Sequence, residues 1–154
     1  MLDQGAIDRF LASERVAVIG ASDTKGNFGR TIYEAFRDHG FTTFAVNPMT
    51  PSVAGDPCYP SLTALPVAVD AAIVMVGRDR AGDVVEAVAD AKIPRVWLFK
   101  GLGTPGAMSP DVEAMARDRG LDVVAGACPL MFLEPVGVVH RIHRKARHLR
   151  GAFA

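Results

Sequence analysis

Two kinds of segment alternate along the chain. Continuous apolar runs stand at RVAVIG (15–20), FTTFAV (41–46), AAIVMV (71–76), RVWLFK (95–100) and LDVVAG (121–126). Runs of this length, closed by glycine or by a polar residue, predict strands buried on both faces. Between them, apolar residues recur three and four apart. Ala6, Ile7, Phe10 and Leu11 predict a short helix over 3–13, and Phe28, Ile32, Ala35 and Phe36 one over 27–39, with Gly40 placed to stop it. Val84, Val85, Val88 and Ala91 predict a buried face for a helix over 79–91. The segment SPDVEAMARDRG predicts another, with Ser109 as N-cap, Pro110 at its first position and Gly120 as stop. Strands alternating with helices predict a parallel sheet covered on both faces, a doubly wound α/β Rossmann-like unit.

Two segments break the alternation. Residues 48–66 carry Pro48, Pro51, Pro57, Pro60 and Pro66. Such proline density predicts a long loop, a short edge strand near Cys58 and one helical turn at 61–64. The segment from 136 to about 149 predicts a basic helix, docked by Val138, Val139 and Ile142 and carrying Arg141, Arg144, Lys145 and Arg147. No repeat or linker interrupts the pattern, so 1–154 reads as one domain.

Composition narrows the class. Apolar residues make 49% of the 154 and charged residues 22%, which suits a globular chain with one core. Lys plus Arg and Asp plus Glu number 17 each, so net charge gives no reason to expect a nucleic-acid or membrane partner. The amino-terminal residues carry acids early and no apolar core segment, so they do not read as a secretory signal. No apolar run approaches the roughly 20 residues of a membrane span. The spacing of Cys58 and Cys128 matches no zinc or redox motif. These features predict a cytoplasmic protein.

The chemistry concentrates after the first strand, in VAVIGASDTKGNFGR (16–30). Ligands of open α/β sheets bind at the carboxyl ends of the strands, and this loop normally stands at the point where strand order reverses. Glycine lets backbone N–H groups approach a phosphate at a helix start. The loop is no Walker A sequence, because Lys25 and Gly26 stand in reversed order and no hydroxyl follows for magnesium. It is a poor dinucleotide fingerprint, because Gly20-Ala21-Ser22 lacks the second glycine and the second strand ends in Asn47-Pro48 without an acid for the ribose. What remains is a longer phosphate loop, with Lys25 as a point charge and Ser22 as a hydroxyl donor.

Five stretches in this order, VAVIGASDTKGNFGR, FAVNPMTPSVAGDPCYPSL, AAIVMVGRD, FKGLG and GACPLMFLEP, resemble the small CoA-binding-domain proteins. These are relatives of the amino-terminal domain of the succinyl-CoA synthetase alpha subunit, and the likeness covers about residues 10–135. The resemblance implies that Gly20, Ala21, Ser22, Lys25, Gly26 and Asn27 hold the phosphates of coenzyme A, and that Asn47 and Pro48 border its adenosine. It implies that Val76, Arg78, Lys100 and Gly101 line the groove for the rest of the ligand. Ala127-Cys128-Pro129 matches the Asn-Cys-Pro turn of the synthetase, which brings Cys128 toward the same groove.

The synthetase also uses a phosphorylated histidine in a second domain. None of His39, His140, His143 and His148 stands in a matching context. The resemblance therefore implies binding of coenzyme A or an acyl-CoA without catalysis. Two other functions stay open: an NAD(P)-dependent enzyme or redox sensor, and an interaction protein using the basic carboxyl-terminal helix. That helix lacks the interleaved aromatics that stack on bases, and His140 and His143 lack further ligands for a metal. Cys128 reads either as a small apolar residue or as a thiol able to form a disulfide with CoA. Apolar helix faces leave a homodimer open.

Overall fold

The first strand shows how sequence becomes layer. In β1 (Arg15–Ile19) the side chains alternate between two faces. Val16 and Val18 join one apolar cluster with Ile7, Phe10, Ile32 and Phe36. Ala17 and Ile19 join a second with Val85, Val88, Val96 and Leu98. The unbroken apolar run thus serves two cores, one on each side of the sheet.

The computed structural model describes residues 2–100 and 106–133. The expected basic helix at 136–149, and Gly101, lie outside the described residues. One face of the sheet carries α1 (Gln4–Leu11) and α2 (Phe28–Asp38), the other α3 (Arg78–Asp90) and α4 (Pro110–Asp118). After β1 the strands are β2 (Thr42–Val46), β3 (Ser52–Val53), β4 (Asp56–Tyr59), β5 (Ala71–Val74), β6 (Arg95–Phe99) and β7 (Asp122–Ala127). Their order is β3-β4-β2-β1-β5-β6-β7, parallel except for the β3–β4 hairpin. Without β3 this is the doubly wound Rossmann order, with reversal at β1 and β5. Among the described residues, no helix is long and apolar enough to cross a membrane.

The predicted caps form. Ser109 Oγ accepts from the Val112 N–H at 3.2 Å, with Pro110 beginning α4. Gly40, at φ +84°, ends α2 in a Schellman turn: Phe41 N–H donates to Phe36 and Gly40 N–H to Arg37. Three details depart from the pattern. The strand near Cys58 is not the edge, because β3 pairs outside it through the two-residue turn Ala54-Gly55, at φ +51° and +81°. Phe28 is 42% exposed, because it begins α2 beyond the sheet, its ring tilted against Phe99 at 5.3 Å; Tyr33 takes a buried place on that helix instead. Val84 is half-buried and Ala91 exposed, so the buried face of α3 is Ala81, Val85, Val88 and Ala89.

The hairpin is held to α2 by Arg37, which donates to the Ala54 carbonyl at 3.1 Å, and by the Asp56 carboxylate. Asp56 accepts from the Tyr33 hydroxyl at 2.8 Å and from Arg37 at 2.9 Å. Arg37, then Tyr33, hold its acid below the usual carboxylate range. A group whose pKa is lowered by folding stabilises the native state above its unfolded pKa, and that contribution is lost as pH falls through the folded value. Asp56→Asn is therefore expected to destabilise at neutral pH and to approach the wild type as pH falls through the folded-state value of that acid. Asp56 is 40% exposed and solvent screens the pair, so the neutral-pH effect is about 1 kcal/mol or less. Urea unfolding at several pH values reads it; an equal deficit at every pH would refute the assignment.

Candidate functional site

The site begins where β1 ends. Gly20 donates its N–H to the Val46 carbonyl at 2.9 Å and turns the chain at φ +102°. A Cβ there would stand 3.0 Å from the Met75 carbonyl and 3.1 Å from Val76 Cγ1. Only glycine lets β1, β2 and the end of β5 converge at this point.

The loop that follows is folded on itself. Ser22 Oγ accepts the Thr24 N–H at 3.1 Å and lies 2.9 Å from Thr24 Oγ1. Asn27 Oδ1 accepts from the Ser22 and Arg30 N–H groups at 3.3 and 3.2 Å, capping α2. Gly29 lets the helix start lie against the loop, since a Cβ there would come within 2.8 Å of Ala21 Cα. Ala21 is buried, whereas Lys25 and Gly26 form an exposed tip. Among the described residues, their N–H groups and the Lys25 ammonium have no partner. Asp23 turns away, accepting from the Ala54 N–H at 2.7 Å and facing Arg30 at 3.3 Å.

Asn47 braces this loop against the end of β2. Its Nδ2 donates to the Ala21 carbonyl at 3.0 Å, and its Oδ1 accepts the Met49 N–H at 2.9 Å. Both ends of the amide are used, so Asn47 positions the two turns relative to each other.

Beside this brace lies a cavity of about 280 Å³. Ile19, Gly20 and Val46 lie at the strand ends, Asn47, Pro48 and the 60–62 turn form one wall, and Val76 with α3 forms the other. The α3 wall consists of Arg80, Asp83, Val84 and Ala87, spaced 0, 3, 4 and 7, so they form one helical stripe. Arg80 and Asp83 have no side-chain partner among the described residues. Neither belongs to the buried face that apolar spacing predicts for this helix. The signal that locates them is the shared stripe with Val84, one position behind the fully buried Val85. A shallower hollow of about 340 Å³ lies on the far side of the Asn47–Pro48 turn, against Met49, Pro51 and Cys58. Burial pushes the Cys58 thiol up, so it resists forming a thiolate.

The structure thus brings Gly20, Asn47, Pro48 and Val76 around one cavity, with Ala21, Ser22, Lys25, Gly26 and Asn27 in the adjoining loop. The other expected residues stand apart from that cavity. Arg78 donates from Nε to the Met108 carbonyl at 3.1 Å, toward α4. Lys100 is exposed after β6, and its N–H donates to Ala127 at 3.3 Å. Cys128 follows β7 and packs into the cluster on the α1 and α2 face, away from α3.

Residues 14–134 match the sequence model of a family described as a CoA binding domain. The chain is 32% identical over 127 residues to an ADP-forming acetate–CoA ligase of Archaeoglobus fulgidus, covering 79% of this chain and 18% of the ligase. It is 30% identical over 145 residues to a trans-feruloyl-CoA synthase from an unknown prokaryotic organism, covering 83% of this chain and 20% of the synthase. The chain therefore spans about a fifth of the length of these two relatives. In fold it is similar to a hypothetical protein from Pyrococcus horikoshii, with a TM-score of 0.75, 21% identity, and 85% and 89% of the two chains covered.

Proposed function

Because the chain belongs to the family of CoA-binding domains, we propose that it binds coenzyme A or an acyl-CoA at the carboxyl ends of β1 and β2, as a binding module without chemistry of its own. The observation that carries this reading is the pairing of two unlike compartments: an exposed loop tip with free N–H groups and a lysine, and next to it a largely apolar cavity. Coenzyme A has the same division. Its pyrophosphate suits the Lys25–Gly26 tip, where backbone donors and one point charge meet an anion. Its adenine suits the cavity between Pro48, Leu62 and Val84, where apolar walls cover the faces of a flat base. The pantetheine arm then runs over the strand ends toward Lys100 and Cys128.

The exposed, polar loop residues act electrostatically, without proton transfer. Lys25 and its neighbouring N–H groups neutralise the pyrophosphate. Asn47 holds the loop and the β2 turn at the spacing the ligand needs. The free N–H groups of the tip cost no rearrangement, whereas that of Ser22 is already committed to Asn27.

A thermal-shift panel with CoA, acetyl-CoA, NAD, NADP and ATP at matched concentrations tests the proposal. A ligand at about 100 times its Kd adds about 2.7 kcal/mol, which raises Tm by about 5–10 °C for a chain of this size. CoA and its esters are expected to give that shift, with the others well below it. A shift with NAD alone would overturn the reading and make Asp83 the acceptor for a ribose hydroxyl. Absence of any shift at millimolar CoA would also refute it.

A further inference from the structure

Coenzyme A carries two separate anionic groups, the pyrophosphate and a phosphomonoester on the ribose 3′ carbon. The Lys25 tip serves one of them, so a second cation is needed near the adenosine. Most arginine head groups near the strand ends are already engaged. Arg30 faces Asp23 and Glu34 at 3.3 and 3.0 Å, and Arg37 holds Asp56 at 2.9 Å. Arg78 is turned toward Met108. The turn after β2, Asn47-Pro48-Met49-Thr50-Pro51, supplies no positive charge. Among the described residues that line the cavity, Arg80 is the one cation, and no described side chain pairs with it.

Resting on the CoA reading, we propose that Arg80 recognises the 3′-phosphate of coenzyme A and makes the cavity selective for adenosine that carries a ribose phosphomonoester. A guanidinium presents a planar fork of donors that matches two phosphate oxygens at once. Arg80 sits in the first turn of a 13-residue helix, whose positive end adds to its charge. Asp83 lines the same wall one turn further along the helix, and among the described residues that line the cavity it is the one carboxylate. An acid there repels phosphate, so it confines the phosphomonoester to the Arg80 end and leaves the Asp83 end to the base, whose exocyclic amine is a donor. The 2′-phosphate of NADP offers the same chemistry on the neighbouring carbon, so it belongs in the test.

The experiment is calorimetric titration of the wild type, Arg80→Gln and Arg80→Lys with CoA, dephospho-CoA, NADP and NAD. In the wild type, CoA is expected to bind about tenfold or more tightly than dephospho-CoA, the size of one charge-assisted contact at a partly open site. Arg80→Gln is expected to bring the two within about twofold, by weakening CoA and leaving dephospho-CoA unchanged; Arg80→Lys is expected to keep part of the preference. Equal weakening of both ligands in Arg80→Gln would overturn the proposal, since the arginine would then serve a group they share. A wild type that binds both alike would overturn it and leave the CoA reading intact. Binding of neither would remove both readings. Preference for NADP over NAD, lost in Arg80→Gln and without CoA binding, would keep Arg80 as a ribose-phosphate reader and overturn the assigned coenzyme.

Discussion

Gly20→Ala is expected to lower Tm by about 4–20 °C and to abolish the CoA-induced shift. Two costs combine at this residue. An L side chain at φ +102° is strained by about 1–2 kcal/mol. Its methyl would also press on backbone, the Met75 carbonyl at 3.0 Å, which cannot rotate away as a side chain can. Overpacking of this kind costs about 1–3 kcal/mol. Each kcal/mol moves Tm by about 2–4 °C at this chain length. Relief comes only by parting β1 from β5, which opens the floor of the cavity. Gly26→Ala is the matched control: it too has positive φ, at +81°, but a Cβ there meets nothing within 4 Å. It is expected to lose about 2–8 °C, from strain alone. Equal losses in the two variants would mean that backbone conformation, and not the convergence of three strand ends, makes Gly20 necessary.

The same two glycines mark where the sequence was legible. Gly20 announces itself because it closes an apolar run, and strand periodicity carries the rest of the sheet in the same way. The hairpin at β3 escaped because its strand has two residues and its turn uses Ala54, which is rare at φ > 0 and is held by an acceptor 31 residues away, Asp23. That contact is tertiary, so no local pattern encodes it. Phe28 and Val84 show the limit of helical periodicity. Both occupy apolar positions on the expected face, yet one tops the sheet beside Phe99 and the other lines the cavity. Periodicity gives the direction a side chain points, not whether the partner layer extends that far.

Around the cavity, backbone-determined residues were legible and the charged pair on α3 was not. Gly20, Asn47, Pro48 and Val76 follow from being at strand ends. Arg80 and Asp83 depend on the angle at which α3 crosses the sheet, which leaves one stripe open beside the covered one.

That open stripe supplies the second large effect. Val84→Trp is expected to weaken CoA binding about 100-fold while moving Tm by only a few degrees. The side chain is half-buried and faces a cavity of about 280 Å³, room enough for the added ring without displacing the core. The indole would take the place proposed for adenine. Covering a base removes roughly 100–150 Å² from water, worth about 3 kcal/mol at the usual 25 cal/mol per Å², or about 100-fold in Kd. The next residue provides the contrast. Val85 is fully buried against the sheet, so Val85→Trp is expected to unfold the domain, not to block a site. Titration of folded Val84→Trp with CoA separates two placements of the ligand. Lost binding seats the base between Pro48 and α3. Unchanged binding would move it across the Asn47–Pro48 turn to the hollow beside Met49, and the α3 wall, Arg80 included, would no longer touch the ligand.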